Sequence, residues 1–446
     1  MTHRSRTLVR LALLATALFA ANPASTSAQI LPIVNQAGAA PGVYVEPDGT
    51  VKRREVAETL ELSHMRARAK AVADAAKGEQ LAFVSLPKAF AAAKEAIAAG
   101  KPVPDDVKYL GGLTQLKFVF VYPEDKDLII AGPSEPVKVI DELTAVGTKT
   151  ARPVLRLDDF VVAMRTVKVA RGAFGCRLDP DPAAPARITD TMAQMARASR
   201  AERVKAIAKA TGPQKVSFFG GVPADTRFAL ATIAADYELK RYGLGLARTT
   251  VAGLGNGVDN TRQAVNMWWF ELGYDPILVS PAGDAFGFRG PRLKVQAGSF
   301  NWDPNGATKT AYDFAQRMTR NIEALANQQP LLADLQCLAD LSVLAALIQR
   351  DGLDKKAGWD TAWILQDTGD AASSFPVAKV TVPKNADALA NYTNGSIAAG
   401  GVVLSPGAVV GGKREQDEGG KALGAAKEQG QKLRAGKPGA AVVGQP

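Results

Sequence analysis

Histidine is almost missing from this chain, with two in 446 residues, His3 and His64. Ser–His–Asp and Cys–His catalysis both pass a proton through an imidazole, so either would have to use one of these two. His3 falls in the N-terminal leader. His64 stands in a helical pattern beside Met65, Arg66, Arg68 and Lys70, which places it on a solvated face. Cysteine is as scarce. Cys176 and Cys337 leave a zinc tetrahedron of Cys and His short of ligands. A calcium loop is also incomplete. Asp303-Pro-Asn305-Gly-Ala-Thr308 opens like one, but Phe314 stands where the bidentate glutamate is needed. No catalytic set, no metal site and no cofactor is expected.

Three further motifs read as structure. Ser85-Leu-Pro-Lys88 has the S-x-x-K spacing of serine acyl enzymes. Its serine is equally a helix N-cap, with Pro87 in the first turn. Gly253-Leu-Gly255-Asn-Gly257 has no following helix to complete a phosphate cradle and reads as a loop. Glu124-Asp-Lys-Asp127 reads as a hairpin turn, and Lys52-Arg53-Arg54 is followed by interleaved Glu55, Glu58 and Glu61, a solvated face.

What is present starts at the N-terminus. Arg4, Arg6 and Arg10 precede the apolar run Leu11–Ala20, and small residues follow to Ala28. That order predicts a secretory signal peptide over 1–28, cleaved after Ala28. The run of about ten residues is too short to span a bilayer, so no transmembrane anchor is expected there. Export would place the protein in the periplasm or outside the cell, where Cys176 and Cys337 can pair as a disulfide; two buried thiols are the alternative. The formal charge of +10 falls to +7 without Arg4, Arg6 and Arg10. A mildly basic body permits an anionic polymer as partner, but the charge is spread and nucleic acid is not expected.

The rest predicts an α+β fold with mixed or antiparallel sheets and flanking helices. It divides as 29–150, an N-terminal α+β region; 151–305, a central one; 306–350, a helical pair hinged at Pro330; 351–410, short strands; and 411–446, a disordered tail poor in large apolar residues. Helices are expected over Val56–Lys77, Pro87–Ala99, Asp158–Val167 and Pro185–Thr211, the last broken near Ser199. Leu116–Pro133 and Met267–Gly283 both read as strand, turn, strand. The centre of the fold is a helix over 225–242, with Asp225 as N-cap and Gly243 as its stop. It is apolar on two sides, so it should be buried between layers. Arg227, Asp236, Lys240 and Arg241 lie on or beside its apolar stripes and must be paired or face a cavity. Internal ion pairs are one reading; the other is a polar binding pocket formed by Arg227, Asp236, Tyr237 and Arg241 with Trp268 or Trp269.

Several segments resemble an exported family known chiefly from planctomycetes, domain of unknown function 1598. They include Gly42-Val-Tyr-Val-Glu-Pro-Asp-Gly, Tyr109-Leu-Gly-Gly-Leu, Phe118-Val-Phe-Val-Tyr-Pro-Glu, Ile130-Ala-Gly-Pro, Leu157-Asp-Asp-Phe and Phe174-Gly-Cys-Arg-Leu-Asp-Pro. Gly221-Val-Pro-Ala-Asp-Thr-Arg-Phe-Ala, Ala235-Asp-Tyr-Glu-Leu-Lys, Trp268-Trp-Phe and Leu338-Ala-Asp-Leu extend the resemblance over roughly 42–348. The resemblance implies no activity and no catalytic residue. The sequence therefore points to a binding or scaffold protein of the cell envelope or exterior, with an envelope protein as its expected partner; a hydrolase using carboxylates without histidine, and attachment to anionic cell-surface polymers, are the alternatives. N-terminal sequencing of the exported chain should start at Gln29; a retained Met1 would overturn the leader.

Overall fold

The computed structural model describes residues 39–40, 43–45, 50–53, 81–259, 261–299, 303–437 and 439–444. The expected signal peptide, His64 and the helix over Val56–Lys77 lie outside the described residues. All described residues belong to one unit, Asn35–Pro446. The fold is α+β, with two large mixed sheets and a small antiparallel pair, Val137–Val139 with Ala145–Gly147.

The nine-stranded sheet runs in the order Ala39–Ala40, Val43–Val45, Thr50–Arg53, Asn385–Ala386, Gln214–Phe219, Phe174–Asp179, Ile397–Leu404, Val265–Gly273, Arg292–Gly298. Among the described residues two of its pairings are parallel: Asn385–Ala386 with Thr50–Arg53, and Val265–Gly273 with Ile397–Leu404. The seven-stranded sheet runs Arg414–Gln416, Ile277–Val279, Ala285–Gly287, Phe118–Tyr122, Asp127–Pro133, Leu81–Ser85, Val442–Val443. Both sheets draw strands from widely separated parts of the chain.

Two helices fill the space between these layers. The central helix, Arg227–Gly243, packs on the nine-stranded sheet, and all its residues are buried. Its neighbour, the long helix Pro330–Asp351, touches the central helix, the helix Leu157–Val169 and strand Arg292–Gly298. With a mean hydropathy of 1.9 it is long and apolar enough to cross a membrane, yet its apolar stretch is wholly buried inside the fold. Alternation along the seven-stranded sheet then divides its side chains between two faces. Ala82, Val84, Val119, Val121, Leu128 and Ile130 join the main core. Phe83, Phe120, Tyr122, Ile129 and Ala131 face the other way.

Several expected signals act as read. Ser85 caps the helix Leu86–Ala98, and the break near Ser199 is a complete capping box opening Arg200–Thr211. Others differ. The N-cap of the central helix is Thr226, whose hydroxyl accepts from the Ala229 N–H at 3.3 Å, while Asp225 pairs outward with Lys379. Gly243 is helical rather than a stop. A Cβ there would sit 2.5 Å from the Trp268 ring, so glycine serves close packing, and the left-handed turn falls on Gly245 (φ +73°). The expected hairpin over Met267–Gly283 does not form. Val265–Gly273 joins one sheet and Ile277–Val279 the other, where it pairs with Ala285–Gly287. Cys176 and Cys337 are both free and buried, so they form no disulfide.

The tail expected to be disordered is folded. Arg414–Gln416 pairs with one edge of the seven-stranded sheet and Val442–Val443 with the other. Between them the helix Leu423–Gly436 crosses the sheet, covering its second face with Leu423, Ala426 and Leu433. Composition misleads here because few apolar residues suffice on an aromatic surface already built by the sheet. Ion pairs at Lys427–Asp284 (2.6 Å) and Arg434–Asp127 (2.7 Å) fix its position. Replacing Leu423 by Ala should cost about 2–4 kcal/mol of this docking. Limited trypsin digestion checks it: cleavage at Lys427 and Lys432 should precede cutting elsewhere, and an unchanged pattern would contradict the packing.

Candidate functional site

The six residues singled out from the sequence are spread through the core. At the start of the central helix, Arg227 pairs with Asp159 and, at 2.6 Å, with Asp334 of the long helix; its Nε donates to the Leu143 carbonyl at 2.8 Å. Burial raises the Asp159 carboxyl well above its ordinary value against the pull of Arg227. One turn apart, Asp236 and Lys240 form a fully buried pair, and burial pushes Asp236 up to about 6. Arg241 lies about 21 Å along the helix from Arg227, at about 1.5 Å per residue. It donates to Glu238 at 2.7 Å. The Tyr237 hydroxyl is raised by burial, with the Asp387 charge adding to it. Adjacent strand residues face opposite ways. The Trp268 ring packs edge-on to Phe314 in the core, and Trp269 Nε1 donates to Glu271 at 2.8 Å. The ion pairs form; the six do not share one cleft.

The other motifs settle into structural places. Ser85 Oγ donates to buried Asp127 at 2.6 Å. Asp303 caps the turn Pro304–Gly306. The glycine loop is clamped by Arg317, which donates to the Leu254 and Asn256 carbonyls at 2.6 and 3.0 Å, and a Cβ on Gly257 would meet the Trp268 ring. Among the described residues no group of three or more His, Cys, Asp or Glu is placed to hold a metal ion.

A cleft of about 440 Å³ opens elsewhere, where the strand Phe118–Tyr122 of the seven-stranded sheet begins and the strand Ala285–Gly287 ends. Phe118, Leu278 and Phe288 give it apolar walls, Lys117, Arg289 and Glu323 bring charge, and Ala422 closes one side. These seven residues come from five separate segments. Phe118 opens a sheet strand, Arg289 follows the strand Ala285–Gly287, and Glu323 stands in the first turn of the helix Ile322–Gln328.

Behind Glu323 lies a buried polar network. Arg292 Nη2 donates to both Glu323 oxygens at 3.2 Å and to Gln336 Oε1 at 2.8 Å. Gln336 Oε1 also accepts from Arg152 at 2.7 Å. Asp340, on the next turn of the long helix, accepts from the Tyr274 hydroxyl at 2.5 Å and from the Leu116 N–H at 2.9 Å. Burial raises the Asp340 carboxyl and, with Asp340 beside it, the Tyr274 hydroxyl. Burial pulls the Arg292 guanidinium down, but Asp340 and Glu323 outweigh it and leave it above the ordinary arginine value. For Arg152, burial and the neighbouring Arg292 win, and its value falls.

Arg292 also has φ +65°. A bulky side chain in that region costs about 1–3 kcal/mol and persists only where its surroundings hold it, a situation common at functional sites. Sequence reasoning missed this cleft because its residues are dispersed from Gln115 to Ala422; the one local hint was the Gly290-Pro291 turn preceding Arg292.

Residues 176–256 match the model of a family described as protein of unknown function (DUF1598). The segment takes in most of the strand Phe174–Asp179, the helices Ala184–Gln194 and Arg200–Thr211, the strand Gln214–Phe219 and the central helix, and the cleft residues fall outside it. No curated protein and no solved structure matches the chain.

Removing Arg227 separates a structural tie from a ligand contact. Arg227→Ala strands Asp159 and Asp334 in the core and should cost about 3–5 kcal/mol in urea denaturation. A loss under about 1 kcal/mol would show that water reaches the pair and reopen the pocket reading there.

Proposed function

We propose that this is an exported binding protein of the cell envelope or exterior, and that its ligand is a small molecule taken up in the cleft between Phe118, Phe288, Arg289 and Glu323. The carrying observation is the cleft itself. Its volume suits a small ligand, its walls combine aromatic surface with a few charged groups, and a strained, buried arginine network backs it. The leader over 1–28 supports export. Among the described residues the cleft lining holds one carboxylate, Glu323, already engaged by Arg292 and Gln336, which favours binding over a two-carboxylate hydrolysis.

Ala422 is exposed on the cleft wall, so a larger side chain there fills the cleft without disturbing the core. A thermal-shift screen of the full chain against sugars, organic acids, nucleotides and anionic polymers should yield a small molecule that raises Tm. At a hundredfold excess over Kd the gain is about 2.7 kcal/mol. Ala422→Trp should abolish that shift while changing the stability of the protein alone by less than about 0.5 kcal/mol. A shift that survives Ala422→Trp, or one given only by polymers and lost in salt, defeats this reading.

A further inference from the structure

We infer that the cleft selects organic carboxylates, and that the side chain of Glu415 is an internal competitor for the arginine that receives them. The inference rests on the binding reading above and narrows it to a ligand class. Arg289 lines the cleft next to Phe288, and its guanidinium is paired with Glu415, with one further contact, from Nη2 to the Pro276 carbonyl at 3.4 Å. This chain therefore already presents a carboxylate to the cleft arginine. A guanidinium fork matches a carboxylate with two parallel bonds, as it does a phosphate, and the anion that this chain itself sets against Arg289 is a carboxylate.

The Arg289–Glu415 pair is built to be replaceable. Arg289 is 47% and Glu415 43% exposed, so water screens their attraction and the pair is weak. The residue before it behaves differently. Arg414 makes two bonds to Asp351 of the long helix, at 2.7 and 2.9 Å, and a third to the Val410 carbonyl at 3.1 Å. With the parallel pairing to Ile277–Val279, these hold the strand in place. The Glu415 side chain can leave Arg289 while its backbone stays.

The rest of the lining suits the same ligand. Glu323 is the cleft's own carboxylate, and its charge is already met by Arg292. Lys117 stands in the lining as a second basic residue beside Arg289. Phe118, Leu278, Phe288 and Ala422 offer contact to an apolar body. A ligand with an aromatic or aliphatic body and a carboxylate end meets all of these.

Benzoate and its neutral isostere benzamide test the inference, titrated into the full chain at low ionic strength and followed by ligand-observed NMR. Benzoate should bind about tenfold more tightly than benzamide, the value of one charge-assisted bond. Glu415→Gln should tighten benzoate about threefold and leave benzamide unchanged, because it removes only the competitor. Arg289→Gln should erase the preference for benzoate. Equal affinities for the two probes in every form would overturn the carboxylate selection and leave the binding cleft standing. An unchanged benzoate affinity in Glu415→Gln, with a loss in Arg289→Gln, would overturn the competitor role. Failure of both probes to bind wild type and Glu415→Gln overturns the inference. Binding that Ala422→Trp does not block places the probes elsewhere and overturns the cleft reading with it.

Discussion

A helix buried on every side can carry a carboxylate only where a cation or a set of donors comes to meet it. The long helix Pro330–Asp351 lives under that constraint twice. Asp334 meets Arg227 of the central helix, and Asp340 meets Arg292, Tyr274 and the Leu116 N–H. The first contact ties the long helix to the central helix; the second ties it to a strand end of one large sheet and to the approach of the other. Apolar packing would tolerate small slides between these layers. Carboxylates without partners in such surroundings would not, so the polar contacts fix the register that the hydrophobic contacts leave open.

Much of the local structure could be read from the chain. Ser85, Ser199 and Pro330 each mark a helix boundary by a mechanism local to a few residues, and each is found at one. The burial of the central helix was legible because apolar residues cover both of its sides. Two failures have the same origin. The stop at Gly243 and the hairpin over Met267–Gly283 were sound locally, but Trp268 needed the space at Gly243, and the chain changes sheets after Gly273. The folded C-terminal segment escaped notice because its stability lies in the surface beneath it, not in its own composition.

The site was less legible than the fold. Charged positions on the central helix announced that ion pairs were required, and the structure supplies partners for Arg227, Asp236 and Arg241. A pocket formed instead where short pieces meet: a strand start, the residues after a second strand, the first turn of a helix and the approach to another. No periodicity joins such pieces, and none falls in the segment 176–256.

Residues 414–444 supply both edge strands of the seven-stranded sheet and lay a helix across its aromatic face. During synthesis, every other strand of that sheet is available before residues 414–444 arrive. Until then the sheet exposes two open ladders and the side chains of Phe83, Phe120 and Ile129, a surface suited to pairing with another unfinished chain. The order of the sequence thus gives this layer an interval of vulnerability that lasts until residues 414–444 are made, a stretch whose composition reads as dispensable.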